Sequence, residues 1–131
     1  MKYAVVDTNV LIWWYKSGEM KGSEGREGVR PIFSVTTKIE ALGFAGISKN
    51  EADAIADILN LGELVFVNDA VAQKTIELRQ AYRIKTPDAI IAATAIVRGA
   101  QLWTVNTDDF EHIEGLEVYN PIGNLTHSHF S

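Results

Sequence analysis

Five short runs rich in β-branched and aromatic residues alternate along this chain with stretches of helical periodicity, and that alternation restricts the fold more than any other feature. The runs fall at 2–6, 31–35, 64–67, 101–105 and 116–119. Strands separated by helices pair in parallel, because each helix must carry the chain back before the next strand can start. The predicted fold is therefore α/β: three layers, α/β/α, around a mostly parallel central sheet of four to five strands. Right-handed crossovers limit the topology further.

The helical stretches carry their own start and stop signals. Thr36 or Thr37 caps a helix running through Ile39, Leu42 and Phe44 towards Gly46. Ser48 and Glu51 form a capping box before the stripe Ala52, Ile55, Ala56, Leu59, which Gly62 ends. Asn68 and Asp69 introduce a helix over 70–82, in which Val71, Ile76 and Leu78 supply apolar contacts. Thr86 at the cap and Pro87 in the first turn open an apolar helix through 89–97, stopped by Gly99. With 131 residues the chain makes one domain spanning 1–131. Residues 17–30, with four glycines and mixed charge, read as a flexible loop. Residues 124–131, with His127 and His129, read as a loose tail.

Cysteine is absent, which excludes disulfides, thiol nucleophiles and zinc knuckles. No leader peptide and no membrane-length apolar run is recognisable, so a cytoplasmic protein is expected. The net charge of −5 argues against nonspecific coating of nucleic acid. It does not exclude a phosphodiester substrate, because carboxylates gathered around divalent ions become a locally positive site.

Four acids stand out by their settings: Asp7, Glu40, Asp88 and Asp109, with Asp108 beside the last. Asp7 follows the first strand and precedes an apolar helix, at the edge where parallel sheets place their ligand crevices. It is equally well placed to act as an N-cap. Glu40 lies within a helix but has no Lys or Arg three or four residues away to pair with. Asp88 and Asp109 sit in first turns, where the helix dipole alone favours an acid. Three or four carboxylates without His or Cys suit a hard cation, Mg²⁺ or Mn²⁺. Such an ion activates water and screens phosphate charge.

Asp7-Thr8-Asn9 after a first strand, Glu40 in the second helix, Thr86-Pro87-Asp88-Ala89 opening an apolar helix, and Thr104-x-Asn106-x-x-Asp109-Phe110 after a strand together resemble the PIN-domain family. Within it, size and motif order are similar to those of VapC-type toxins of toxin–antitoxin pairs. The resemblance implies a metal-dependent, single-strand-specific endoribonuclease. Asp7, Glu40, Asp88 and Asp109 would be its Mg²⁺ or Mn²⁺ ligands and catalytic acids. Thr8 and Asn9 would support the first ligand, and Thr104, Asn106 and Asp108 the last. It also implies a homodimer silenced by a small antitoxin protein. Asn106 stands where some relatives carry an acid, which bears on a second metal ion.

Arg79, Arg83 and Lys85, near Asp88 in sequence, are the candidate RNA contacts, and plain solvated charges are the competing reading. Trp13, Trp14 and Tyr15 are read first as core or interface packing. Two other readings follow from the same residues. One is a PIN-like module that binds RNA or protein without cutting. The other is a phosphatase of the haloacid dehalogenase type, which wants a second acid where Asn9 stands.

Overall fold

The first strand, β1 (Lys2–Val6), occupies the middle of the sheet, and the chain grows outward from it first on one side and then on the other. The computed structural model describes residues 2–19 and 29–123. After β1 come α1 (Thr8–Ser17), β2 (Val29–Ser34), α2 (Val35–Leu42), α3 (Lys49–Leu59) and β3 (Glu63–Val65). There follow α4 (Asp69–Ala81), α5 (Thr86–Arg98), β4 (Gln101–Trp103), α6 (Thr107–Phe110) and β5 (Val118–Tyr119). The strand order is β3-β2-β1-β4-β5, and every pairing is parallel. The order reverses between β1 and β4, which makes their shared carboxyl edge the topological switch point where such sheets open a crevice.

Alternation along β1 divides the core in two. Ala4 and Val6 face the layer of α1, α2 and α3 with Val10, Leu11, Trp14, Phe33 and Ile55, whereas Val5 faces α4 and α5 with Val71, Leu78 and Ile91. Both faces of the sheet are therefore covered, which is why its strands read as nearly continuous apolar runs. Trp14 is 1% exposed and meets Trp103 edge-to-face with ring centroids 6.4 Å apart, so it is a core residue. Trp13 and Tyr15 pack partly buried against the same cluster.

Several local expectations are corrected. β2 begins at Val29 and ends at Ser34, and Val35 is already helical, because Ser34 rather than Thr36 or Thr37 caps α2 by accepting from Thr36 N–H at 3.1 Å. Phe44 lies beyond the end of that helix. The box at Ser48 and Glu51 forms as expected, but α3 ends at Leu59, with Asn60 rather than Gly62 at its cap. β3 stops at Val65, and Phe66 and Val67 are exposed past its end. In α4 the buried positions are Val71, Thr75 and Leu78, a spacing of four and three that turns Ile76, 50% exposed, away from the core. Lys85 takes the cap position of α5, which moves Thr86 into the first turn. Val97 on the same helix is exposed. Strands β4 and β5 are shorter than the apolar runs that suggested them.

Of the expected 17–30 loop, Ser17 closes α1 and Val29 and Arg30 belong to β2; residues 20–28 lie outside the described part, as does the expected 124–131 tail. Among the described residues no helix is long and apolar enough to cross a membrane.

Candidate active site

Asp7 leaves β1 at the switch point, and its immediate surroundings are polar but not basic. It is 5% exposed. Its Oδ1 accepts from Thr8 N–H at 2.8 Å, so it does cap α1, while Oδ2 accepts from Thr104 Oγ1 at 2.8 Å and from Asn9 Nδ2 at 3.3 Å. The candidate ligand is thus also the cap of α1, and both of its oxygens accept hydrogen bonds. Asn9 in turn accepts from Val105 N–H at 3.3 Å, and Thr104 Oγ1 accepts from Asn106 N–H at 3.0 Å. Residues nearly a hundred positions apart are held together because β1 and β4 are neighbours, with Asp7 N–H donating to Trp103 O at 2.9 Å.

Glu40 reaches this region from α2. Thr8 Oγ1 lies 2.6 Å from Glu40 Oε1 and 3.2 Å from Thr37 Oγ1. Thr8 has one hydroxyl proton, and the charged, shorter acceptor takes it. Thr37 Oγ1 then donates to Thr8 Oγ1, giving a relay from Thr37 through Thr8 to the Glu40 carboxylate. Thr37 is wholly buried and was not among the residues singled out from sequence. Its position three residues before Glu40, on the same helix face, is the sequence signal that could have found it.

Asp88 is half-buried in the first turn of α5, and Asp109 is exposed on α6. Their fields overlap with those of the other two acids. Burial, together with the charges of Asp88 and Glu40, raises the Asp7 carboxyl from 3.8 to about 6, although hydrogen bonds from Thr104 and Thr8 oppose the rise. Burial also raises Asp88, with Asp109 and Glu40 adding to the effect and Lys85 opposing it. Asp109, not Asp108, is the member of the doublet whose charge reaches Asp88. Among the described residues none of the four acids enters a salt bridge.

Asp7 and Asp88 each feel other members of the set, yet among the described residues no three acidic or imidazole side chains are grouped tightly enough to ligate one ion. Glu40 is engaged by the Thr8 hydroxyl. Asn106 precedes α6 and contributes its backbone N–H to Thr104; its side chain makes no cap hydrogen bond. Arg83 and Lys85 are exposed beside α5, and Arg79, also exposed, directs its Nε towards Ile84 O at 3.4 Å.

Comparison with known proteins bears on this arrangement. The family model described as PIN domain matches residues 4–116. A ribonuclease VapC1 of Methanocaldococcus jannaschii is 29% identical over 127 residues, covering 88% of this chain and 86% of that protein. A chain of a toxin–antitoxin complex from Klebsiella pneumoniae is 32% identical with a TM-score of 0.73, covering 90% of this chain and 97% of its own. A chain of VapBC2 from Rickettsia felis, solved bound to a promoter DNA fragment, has a TM-score of 0.80 at 18% identity, a likeness of fold alone, and covers 90% of this chain and 98% of its own.

Proposed function

Because the chain belongs to the PIN-domain family, we propose that it is a metal-dependent endoribonuclease, the toxin of a toxin–antitoxin pair, in which Asp7, Glu40, Asp88 and Asp109 hold Mg²⁺ or Mn²⁺. The observation that carries this reading is a carboxylate buried at the switch point beside two further acids, with no basic group paired to it. A divalent cation fits that donor set, which is all oxygen and offsets neither the burial nor the mutual repulsion of its own charges. When bound, such an ion makes water nucleophilic near neutral pH and screens the charge on the phosphate oxygens.

The chain's own residues prepare that chemistry. Thr8 N–H and Thr104 Oγ1 fix the two Asp7 oxygens, and Asn9 ties the end of β1 to the backbone after β4. The Thr37–Thr8 relay orients Glu40. Lys85 supplies positive charge beside Asp88, and Arg79 and Arg83, exposed on the surface, are the further candidate contacts for a phosphodiester backbone. Hydrolysis then needs no covalent intermediate on the protein. The ribonuclease named among the relatives and the toxin–antitoxin complex among the structures favour RNA as substrate and a small antitoxin protein as partner. A cytoplasmic homodimer completes the proposal.

Titration calorimetry with Mn²⁺, run beside cleavage of a single-stranded RNA oligonucleotide with and without EDTA, tests this directly. Heat of binding together with EDTA-sensitive cleavage is expected. Silence in both at millimolar metal would leave a binding module instead. Three substitutions refine the roles. Thr37→Val keeps shape but breaks the relay, so Mn²⁺ affinity measured calorimetrically should fall up to ~10-fold, the lower end of the cost of outer-shell changes. Thr37→Ser should restore it, and the thermal midpoint should move little. Lys85→Ala should weaken RNA binding evenly across sequences. It should also reduce the slope of log affinity against log salt by about 0.7, the share of one phosphate contact on a single strand. Anisotropy titrations over a salt series would reveal it.

A further inference from the structure

Beside the acidic cluster, α1, α2 and α3 border a half-open cavity of about 250 Å³. Its apolar walls are Ile12 and Tyr15 from α1, Phe44 after α2, and Ile55 from α3. Thr8 and Glu40 line it too, so it opens directly onto the proposed catalytic residues. Phe44 is 44% exposed, an aromatic ring that the core does not use. Charges of both signs complete the lining, Lys16 on one element and Glu51 on another.

We propose that this cavity seats one unpaired nucleobase of the RNA next to the phosphodiester that is cut. The inference rests on the ribonuclease reading and adds to it a pocket that no catalytic role requires. A nucleobase has apolar faces and a polar edge, and the cavity offers ring and aliphatic walls with a cation and a carboxylate among them. The volume lies below the roughly 300–1,000 Å³ of pockets for drug-sized ligands, so it is scaled to a single ring system rather than a base pair. Lys16, exposed on α1, is positioned to meet a backbone phosphate while the base lies inward. Because Glu40 belongs to both the cavity and the acidic cluster, the seated nucleotide adjoins the scissile bond. A base within a duplex cannot enter, so the pocket itself selects single strands.

The test holds the RNA uncut with Asp7→Asn and measures binding of a short fluorescent oligoribonucleotide by anisotropy, making each nucleotide abasic in turn. One abasic position next to the cleavage point should weaken binding by roughly 10- to 100-fold, the scale of one base stacked on aromatic side chains. Phe44→Ala in the same background should cost a similar factor, and the two losses should not add. Phe44→Leu, which keeps apolar bulk but no ring face, should remain weak, and Phe44→Trp should restore binding. Equal RNA affinity of the Phe44→Ala protein, or an abasic penalty that persists in it, overturns the pocket and leaves the groove to a protein side chain. Cleavage by the unsubstituted protein is scored separately. Its absence with the anisotropy pattern intact refutes the nuclease reading alone, and absence of RNA binding refutes both.

Discussion

Asp7→Asn is expected to abolish Mn²⁺-dependent cleavage and, at the same time, to make the metal-free protein more stable at neutral pH. The loss of rate should reach at least ~100- to 1,000-fold, the scale on which one preorganised electrostatic contact slows a reaction. The gain in stability follows from linkage. The folded carboxyl lies at about 6 against 3.8 when unperturbed, so between those values the folded state binds more protons than the unfolded. The sign is therefore the reverse of a salt-bridged acid. The contribution is fully present below about pH 4 and is lost as pH rises through 6, a fall of about 3 kcal/mol from this group.

Asparagine carries no charge to desolvate. It keeps the acceptor for Thr8 N–H, and Thr104 Oγ1 can accept as well as donate. The 3.3 Å approach of Asn9 Nδ2 then opposes two donors, which reduces the gain. Thermal unfolding in EDTA between pH 4 and 8 should show a falling midpoint for the unsubstituted protein and a flatter line for the variant. Added Mn²⁺ should raise the midpoint of the first and not of the second. An unchanged slope, or cleavage at the original rate, would refute the role given to Asp7.

Gly62→Ala should be among the most destabilising single changes, although it adds one methyl group near the surface. A Cβ at this position would lie 2.5 Å from Pro31 O and 2.8 Å from Phe33 Cε2. Neither can retreat easily. Pro31 is in register with Ala4 in the sheet, and Phe33 is wholly buried in the core. β3 is paired with β2 only from Ile32 onward, and Gly62 is where the incoming chain crosses close over the unpaired side of Pro31. Overpacking of this kind costs roughly 3 kcal/mol, with a drop of about 10 °C in the thermal midpoint. Urea titration would measure it as a lower midpoint at unchanged slope. Since β2 runs directly into α2, the same substitution should weaken metal binding through Glu40. A midpoint within a degree of the original would show that the sheet yields where the packing says it should not.

A local sequence pattern announces only what residues adjacent in the chain decide. Asp7 and Asp88 were visible because each sits where one periodicity gives way to another, and such boundaries are written in adjacent residues. The capping box at Ser48 and Glu51 and the left-handed stop at Gly99, with φ 62°, were visible for the same reason. Ser34 as the cap of α2 was not. A strand that turns into a helix without an intervening loop leaves no polar cluster to mark the join, and the threonines that follow resemble caps. Ile76 misled in the opposite direction: an apolar residue within a helix is read as core until its angular position relative to Val71, Thr75 and Leu78 is known.

What the amino-acid order determined by itself was the alternation of strand and helix, hence a parallel layered sheet, together with the supply of unpaired acids at element ends. Those are local matters of periodicity, capping and helix dipole, each decided within a turn or two of chain. Only the tertiary structure decided that β4 returns to lie beside β1, after β2 and β3 have extended the sheet on the other side. That return places Thr104 on the Asp7 carboxylate and buries it; the neighbouring helices bring Asp88 and Glu40 within its field and Thr37 behind Thr8. Strand order depends on which apolar faces bury each other best over the whole molecule. The charge state of a carboxylate depends in turn on the burial that results, so neither could be read one segment at a time.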